Sequence, residues 1–130
     1  MPLRIPSGLQ ANVILGLMFL TLPSLGDLVD LALTYLAFKS HPFYWSVNEA
    51  ATSFKINVVA HGYFLASLSA ISHNFVATLP LLITCGACVY LTHLLRRDRI
   101  ERFTLIISTI ASALIFSLHV YGGLSWFLPT

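Results

Sequence analysis

The side chains able to do chemistry in this 130-residue chain are few, and nearly all sit in apolar surroundings: Asp27, Asp30, His61, His73, His93, His119 and the pair Cys85 and Cys88. Carboxylate and imidazole together can pass a proton or ligate a first-row metal. Two histidines on facing helices at one depth can hold a haem iron from both sides. Two thiols separated by two residues can cycle with a disulfide. Holding ionisable groups within hydrocarbon is costly, which makes each of them a functional candidate by default.

What must position them follows from composition. The chain is 9% charged and 57% apolar, where soluble proteins carry about 25% charged and 45–50% apolar residues. Six of its twelve charges fall within Arg96–Arg102, and the forty residues from Ile56 to Leu95 have none. A chain this small has too much surface for its volume to hide such stretches from water. It therefore reads as an all-α, polytopic membrane protein with a single transmembrane domain over residues 1–130. A net charge of +2, with no basic stripe outside one short block, argues against nucleic acid as a partner. There is no Gly-rich phosphate loop, and two cysteines inside one apolar run do not make a secreted disulfide framework. The apolar stretch after Arg4 continues past Pro23 without a small-residue cleavage pattern, so no removable signal peptide is expected.

A bilayer core of roughly 30 Å takes about 20 helical residues, and about four transmembrane helices are expected, over roughly 9–38, 54–72, 76–95 and 103–126. Pro23 and Gly26 interrupt the first, with Asp27 and Asp30 following at once. It reads as one long helix kinked at Pro23/Gly26; the alternative is a span ending near Leu22, followed by an interfacial amphipathic helix over 27–38. The segment His41-Pro42-Phe43-Tyr44-Trp45 suits the aromatic belt at headgroup level. The excess of arginine in loop 96–102 places that loop in the cytoplasm. The uncharged His73-Asn74-Phe75 turn then lies outside, the loop with Lys39 inside, and both termini on the outer side.

On this four-span scheme depth sorts the polar residues. Asp27, Asp30, His61 and His93 gather toward the inner face, while His73 and His119 share the outer third. Asp27, Asp30 and His61 form a candidate proton or cation path. The candidate haem or metal ligands pair as His61 with His93 and His73 with His119, which would permit a haem b; no tight metal-ligand spacing such as His-x-x-x-His is present. On the last span Ser108, Ser112, Ile115, His119 and Gly122 fall within about an 80° arc, with Gly123 beside it. Small and hydrogen-bonding residues at that spacing form a helix-packing face.

Cys85-Gly86-Ala87-Cys88 resembles, over those four residues, the motif of membrane thiol oxidoreductases that act on quinones, and implies thiol redox chemistry. Those enzymes generally use a second cysteine pair, and this chain has no other cysteine. Two small apolar-behaving side chains beside Gly86 and Ala87 are the simpler reading.

No nucleophile stands beside a base, and little sequence lies outside the apolar runs, so the chain is expected to be non-catalytic by itself. The first expectation is a small accessory or structural subunit, surrounded by lipid and packed against other transmembrane subunits of a larger membrane complex. The alternatives are a haem b- or quinone-associated electron-transfer anchor and a small proton or cation conductor.

Overall fold

The computed structural model describes residues 7–40 and 49–128, with side chains described at 8–40 and 61–128. Three helices make up nearly all of it: α1 (Ser7–Ser40), α2 (Glu49–Leu94) and α3 (Asp98–Ser125). No strand occurs among the described residues. All three contain stretches long and apolar enough to cross a membrane, Gly8–Ser40, His61–Leu94 and Asp98–Ser125. The aromatic segment His41–Trp45 lies outside the described residues.

Three helices, not four, follow from the course of α2. His73, Asn74 and Phe75 are helical, where the length of the apolar run had pointed to a turn. Nothing in that tripeptide breaks a helix: it holds neither glycine nor proline, and its backbone groups are best satisfied within the helix when no water is near. The interruption in α2 lies earlier, at Gly62, with φ +84° and ψ 169°. That conformation is essentially confined to glycine. From His61 to Leu94 the helix is about 50 Å long, longer than a hydrocarbon core of roughly 30 Å, so it tilts or extends past the hydrocarbon.

α1 is one helix through Pro23. Proline lacks the N–H that would bond the carbonyl four residues earlier, here that of Phe19. The Ser112 hydroxyl donates to this carbonyl instead, at 2.9 Å. Side-chain hydroxyls of neighbouring helices are a usual way for a membrane helix to satisfy a carbonyl freed by proline.

The chain divides into two compact units, one of Met1–Leu25 with Thr78–Phe116 and one of Gly26–Ala77 with Ser117–Thr130. In the first, α1 and α3 run parallel. Arg102 bonds the Gly8 carbonyl and Asn12 Oδ1, the Thr109 hydroxyl donates to the Leu15 carbonyl at 3.1 Å, and Ser112 meets Phe19. The N-terminal end of α1 therefore lies beside the basic run, whereas the four-span scheme had set the two across the bilayer from each other. In the second unit α1 and α3 are again parallel, from His119 against Asp27 and Asp30 to Trp126 edge-on against Phe38 with ring centroids 5.0 Å apart. Phe38 and Ala66 form the buried centre there, with Ala70 and Trp126 packed on them.

Burial is inverted relative to a soluble domain. Asp30, Thr34, Ser67, Ser108, Ser112 and His119 are inside, while Leu20, Leu28, Ile83, Leu114 and Leu118 are exposed. A large exposed apolar surface around a small polar interior is the arrangement that lipid favours, where helices associate through close packing and hydrogen bonds. The chain is thus an all-helical protein with the surface of an integral membrane protein.

Candidate functional site

α1 presents Asp27, Asp30 and Thr34 at spacings of three and four, on one face of the helix. α3 presents His119 to that face. Gly122 and Gly123 set how near the two helices come: a Cβ on Gly123 would lie 2.9 Å from Leu33 Cβ and 3.3 Å from Asp30 Cα. Close backbone approach over glycine is what allows aspartate, with a single methylene, to reach the imidazole.

His119 Nδ1 is 3.0 Å from Asp30 Oδ2, and the Thr34 hydroxyl donates to Asp30 Oδ1 at 3.2 Å. Asp30 and His119 are each 2% exposed. On the other side of the ring, His119 Nε2 is 3.0 Å from Asp27 Oδ1. This second contact lacks hydrogen-bond alignment, and Asp27 Oδ1 is buried without a hydrogen-bond partner. The Asp27 side chain as a whole is 23% exposed, which makes it the way into the cluster.

The protons decide what this geometry can do. A neutral imidazole carries one N–H. With that N–H on Nδ1 toward Asp30, Nε2 turns a lone pair to Asp27 Oδ1, and two lone pairs at 3.0 Å repel unless a proton lies between them. A proton placed there would sit either on Asp27, as a carboxylic acid against neutral imidazole, or on His119, as an imidazolium between two carboxylates. A metal ion does not suit the cluster, because the carboxylates approach opposite ring nitrogens and one ion cannot take both. Among the described residues no group of three or more His, Cys, Asp or Glu is arranged to hold a metal.

The structure thus brings Asp27 and Asp30 together with His119, not with His61. His61 is exposed on α2 beside Gly62. His93 is largely exposed and lies 3.0 Å from Glu101. His61 and His93 share α2 and fall in different compact units. His73 is exposed, and both ring nitrogens of its proposed partner His119 already face carboxylates. Cys85 is half-buried and Cys88 exposed, and both are free thiols. The α3 face is turned inward: Ser108, Ser112, Ile115 and His119 are buried, Gly122 approaches Asp30 and Gly123 packs on Leu33.

Sequence reasoning set His119 apart from Asp27 and Asp30 because a turn at 73–75 makes the first and last helices antiparallel. With that turn removed they are parallel, and residue 119 meets residues 27 and 30. Thr34 was missed as well, although its place four residues after Asp30 on the same face was a usable signal. No protein-family model, curated protein or solved structure matches the chain.

Proposed function

We propose that this chain is a small integral-membrane protein that handles protons, with Asp27 and His119 exchanging one proton within the helix bundle and Asp30 and Thr34 holding the imidazole in place. The observation that carries this reading is the 3.0 Å approach of His119 Nε2 to Asp27 Oδ1, a buried oxygen with no hydrogen-bond partner. Stability alone gives little reason to keep three ionisable groups there, since a buried ion pair is often no more stabilising than apolar residues of equal volume. Asp27 takes or releases the proton at the partly open side, His119 accepts or returns it at Nε2, and Asp30 stabilises the imidazolium from Nδ1.

The parallel course of α1 and α3 in each unit supports an N-terminus on the same side as Arg96–Arg102. That side carries the four arginines of Arg96–Arg102, against Lys39 at the other end of α1, so it faces the cytoplasm and the C-terminus lies opposite.

Purified protein in liposomes with an imposed pH gradient and an internal pH-sensitive dye tests the reading. Wild type dissipates the gradient, whereas Asp27→Asn and His119→Leu do not. Equal rates in all three, or no flux above empty liposomes, would overturn it.

A second reading, an accessory subunit of a larger membrane complex, is favoured by α2. No residue in the most apolar stretch of its His61–Leu94 span is buried, which leaves that surface to lipid or to another subunit. Mild-detergent extraction from the native membrane, with mass measurement of the intact particle, separates the two: co-purifying chains support the subunit, and a lone chain or homo-oligomer removes it.

A further inference from the structure

The first unit contains a cavity of about 670 Å³ where α1 begins, α2 ends and α3 begins. Arg96, Arg99 and Arg102 line it, and so do Leu9, Phe103 and Ile106. We propose that this cavity binds an anionic phospholipid, with its phosphate on the guanidinium groups and an acyl chain along the three apolar side chains. The proposal rests on the membrane reading and is independent of the Asp27–His119 centre.

The cations have no anion of their own. Among the described residues the ion pairs all involve histidine, and no carboxylate pairs with an arginine. Glu101 also lines the cavity, but its carboxylate turns to His93 at 3.0 Å. Asp98 lies in the first turn of α3, where its charge meets the positive end of the helix dipole. Arg102 is aimed by the Gly8 carbonyl and Asn12 Oδ1, neutral groups that fix its direction and leave its charge uncancelled. A phosphate supplies what is missing, since guanidinium groups bind phosphate oxygens through charge-assisted hydrogen bonds.

The backbone at Arg96 points the same way. α2 ends in a Schellman turn, with the Arg97 N–H bonded to the Thr92 carbonyl and the Arg96 N–H to the His93 carbonyl. This turn puts Arg96 at φ +51°, in the left-handed position that glycine usually fills. A strained residue whose side chain lines a cavity fits a binding site better than a cap chosen for stability.

The setting specifies an amphiphile. The cavity lies where the charged run meets the ends of three apolar helices, the level of lipid phosphates. Leu9, Phe103 and Ile106 remain exposed beside the cations. Basic pockets between transmembrane helices are a recurrent place for anionic headgroups. A free phosphate makes no use of the apolar wall.

Full-length protein in mild detergent, incubated with equimolar phosphatidylglycerol and phosphatidylcholine and weighed by native mass spectrometry, tests the proposal. Wild type retains phosphatidylglycerol with roughly tenfold preference, the size expected of one hydrogen bond to a charged group. Arg96→Gly keeps the left-handed backbone and eases the turn, so loss of that preference reports the lost cation and not unfolding. Arg99→Ala loses it too, while Arg97→Ala, outside the cavity lining, retains it. Three results would overturn the proposal: equal retention of both lipids, equal loss in Arg97→Ala, or displacement of the lipid by millimolar inorganic phosphate. Proton flux is read in a separate assay, so failure of either proposal leaves the other standing.

Discussion

His119 Nε2 and Asp27 Oδ1 stand 3.0 Å apart, yet no hydrogen bond joins them and the oxygen has no other hydrogen-bond partner. The opposite nitrogen is fully engaged, with Asp30 at 3.0 Å and Thr34 behind it. One side of the imidazole is therefore fixed by hydrogen bonding and the other is not. The asymmetry separates holding from exchanging.

Removing one carboxylate is expected to harm the fold more than removing the whole centre. Asp30→Ala leaves His119 Nδ1 and the Thr34 hydroxyl buried without their acceptor, at a cost of about 2–4 kcal/mol. Replacing the centre with Asp27→Val, Asp30→Val, Thr34→Val and His119→Phe removes its buried polar groups together and keeps stability within about 1 kcal/mol of wild type. Denaturation in mixed micelles measures both. A single variant as stable as wild type would show that Asp30 is not engaged by His119 in the membrane.

Ser112 and Pro23 are expected to be coupled through the Phe19 carbonyl. Ser112→Ala leaves that buried acceptor without its donor and costs about 1–2 kcal/mol. In a Pro23→Ala background the helix regains the N–H that bonds the carbonyl internally, so the same Ser112→Ala change costs much less. A double-mutant cycle in the same micelles reads the difference. Purely additive effects would mean that the serine acts elsewhere.

Much of this was legible in sequence, and what was not has one physical source. Charge depletion identified a helical membrane protein, and the 3.6-residue period found the inward face of α3 before any partner for it was known. Asp27 and Asp30 stood out because carboxylates are expensive at membrane depth. What composition could not settle was whether forty uncharged residues make one helix or two, because a hydrocarbon span limits the apolar core of a helix and not its full length. The tripeptide 73–75 was read as a turn on length alone. That single choice reversed the direction of the last helix, moved His119 to the far side, and paired Asp27 and Asp30 with His61. The cavity at the helix ends was invisible for a related reason, since it needs the start of α1 beside the start of α3.

Glycines on the packing face are expected to differ sharply. Alanine at 123 places a Cβ 2.9 Å from Leu33 Cβ and Cδ1, which drives α3 away from α1 and costs about 1–3 kcal/mol. It also withdraws His119 from Asp30, so proton flux falls with it. Alanine at 122 meets only Asp30 oxygens at 3.7 Å and beyond, an ordinary contact. Alanine at 16 meets nothing within 4 Å and gains up to about 1 kcal/mol from helix propensity. Similar losses at 123 and 16 would mean that the close approach of the two helices is not what sets stability here.

Single-cysteine labelling distinguishes three crossings from four. Cys85 and Cys88 are first replaced by alanine and serine, and cysteines are then placed one at a time at Arg97, at His73 and near the C-terminus. With α2 as one continuous helix through 73–75, position 73 lies inside the His61–Leu94 span, about a third of the way from its start. A membrane-impermeant maleimide then leaves it unlabelled from either side, because the reactive thiolate does not form in hydrocarbon. Position 97 reacts only when the cytoplasmic side is opened, and the C-terminal position reacts from outside. A turn at 73–75 gives the opposite result at 73, with ready labelling from outside. It would also make α1 and α3 antiparallel, which is incompatible with the contacts of His119 to Asp27 and Asp30. Labelling at 73 would therefore remove the proton centre together with the three-helix fold, whereas its absence, with 97 and the C-terminus on opposite sides, leaves both in place.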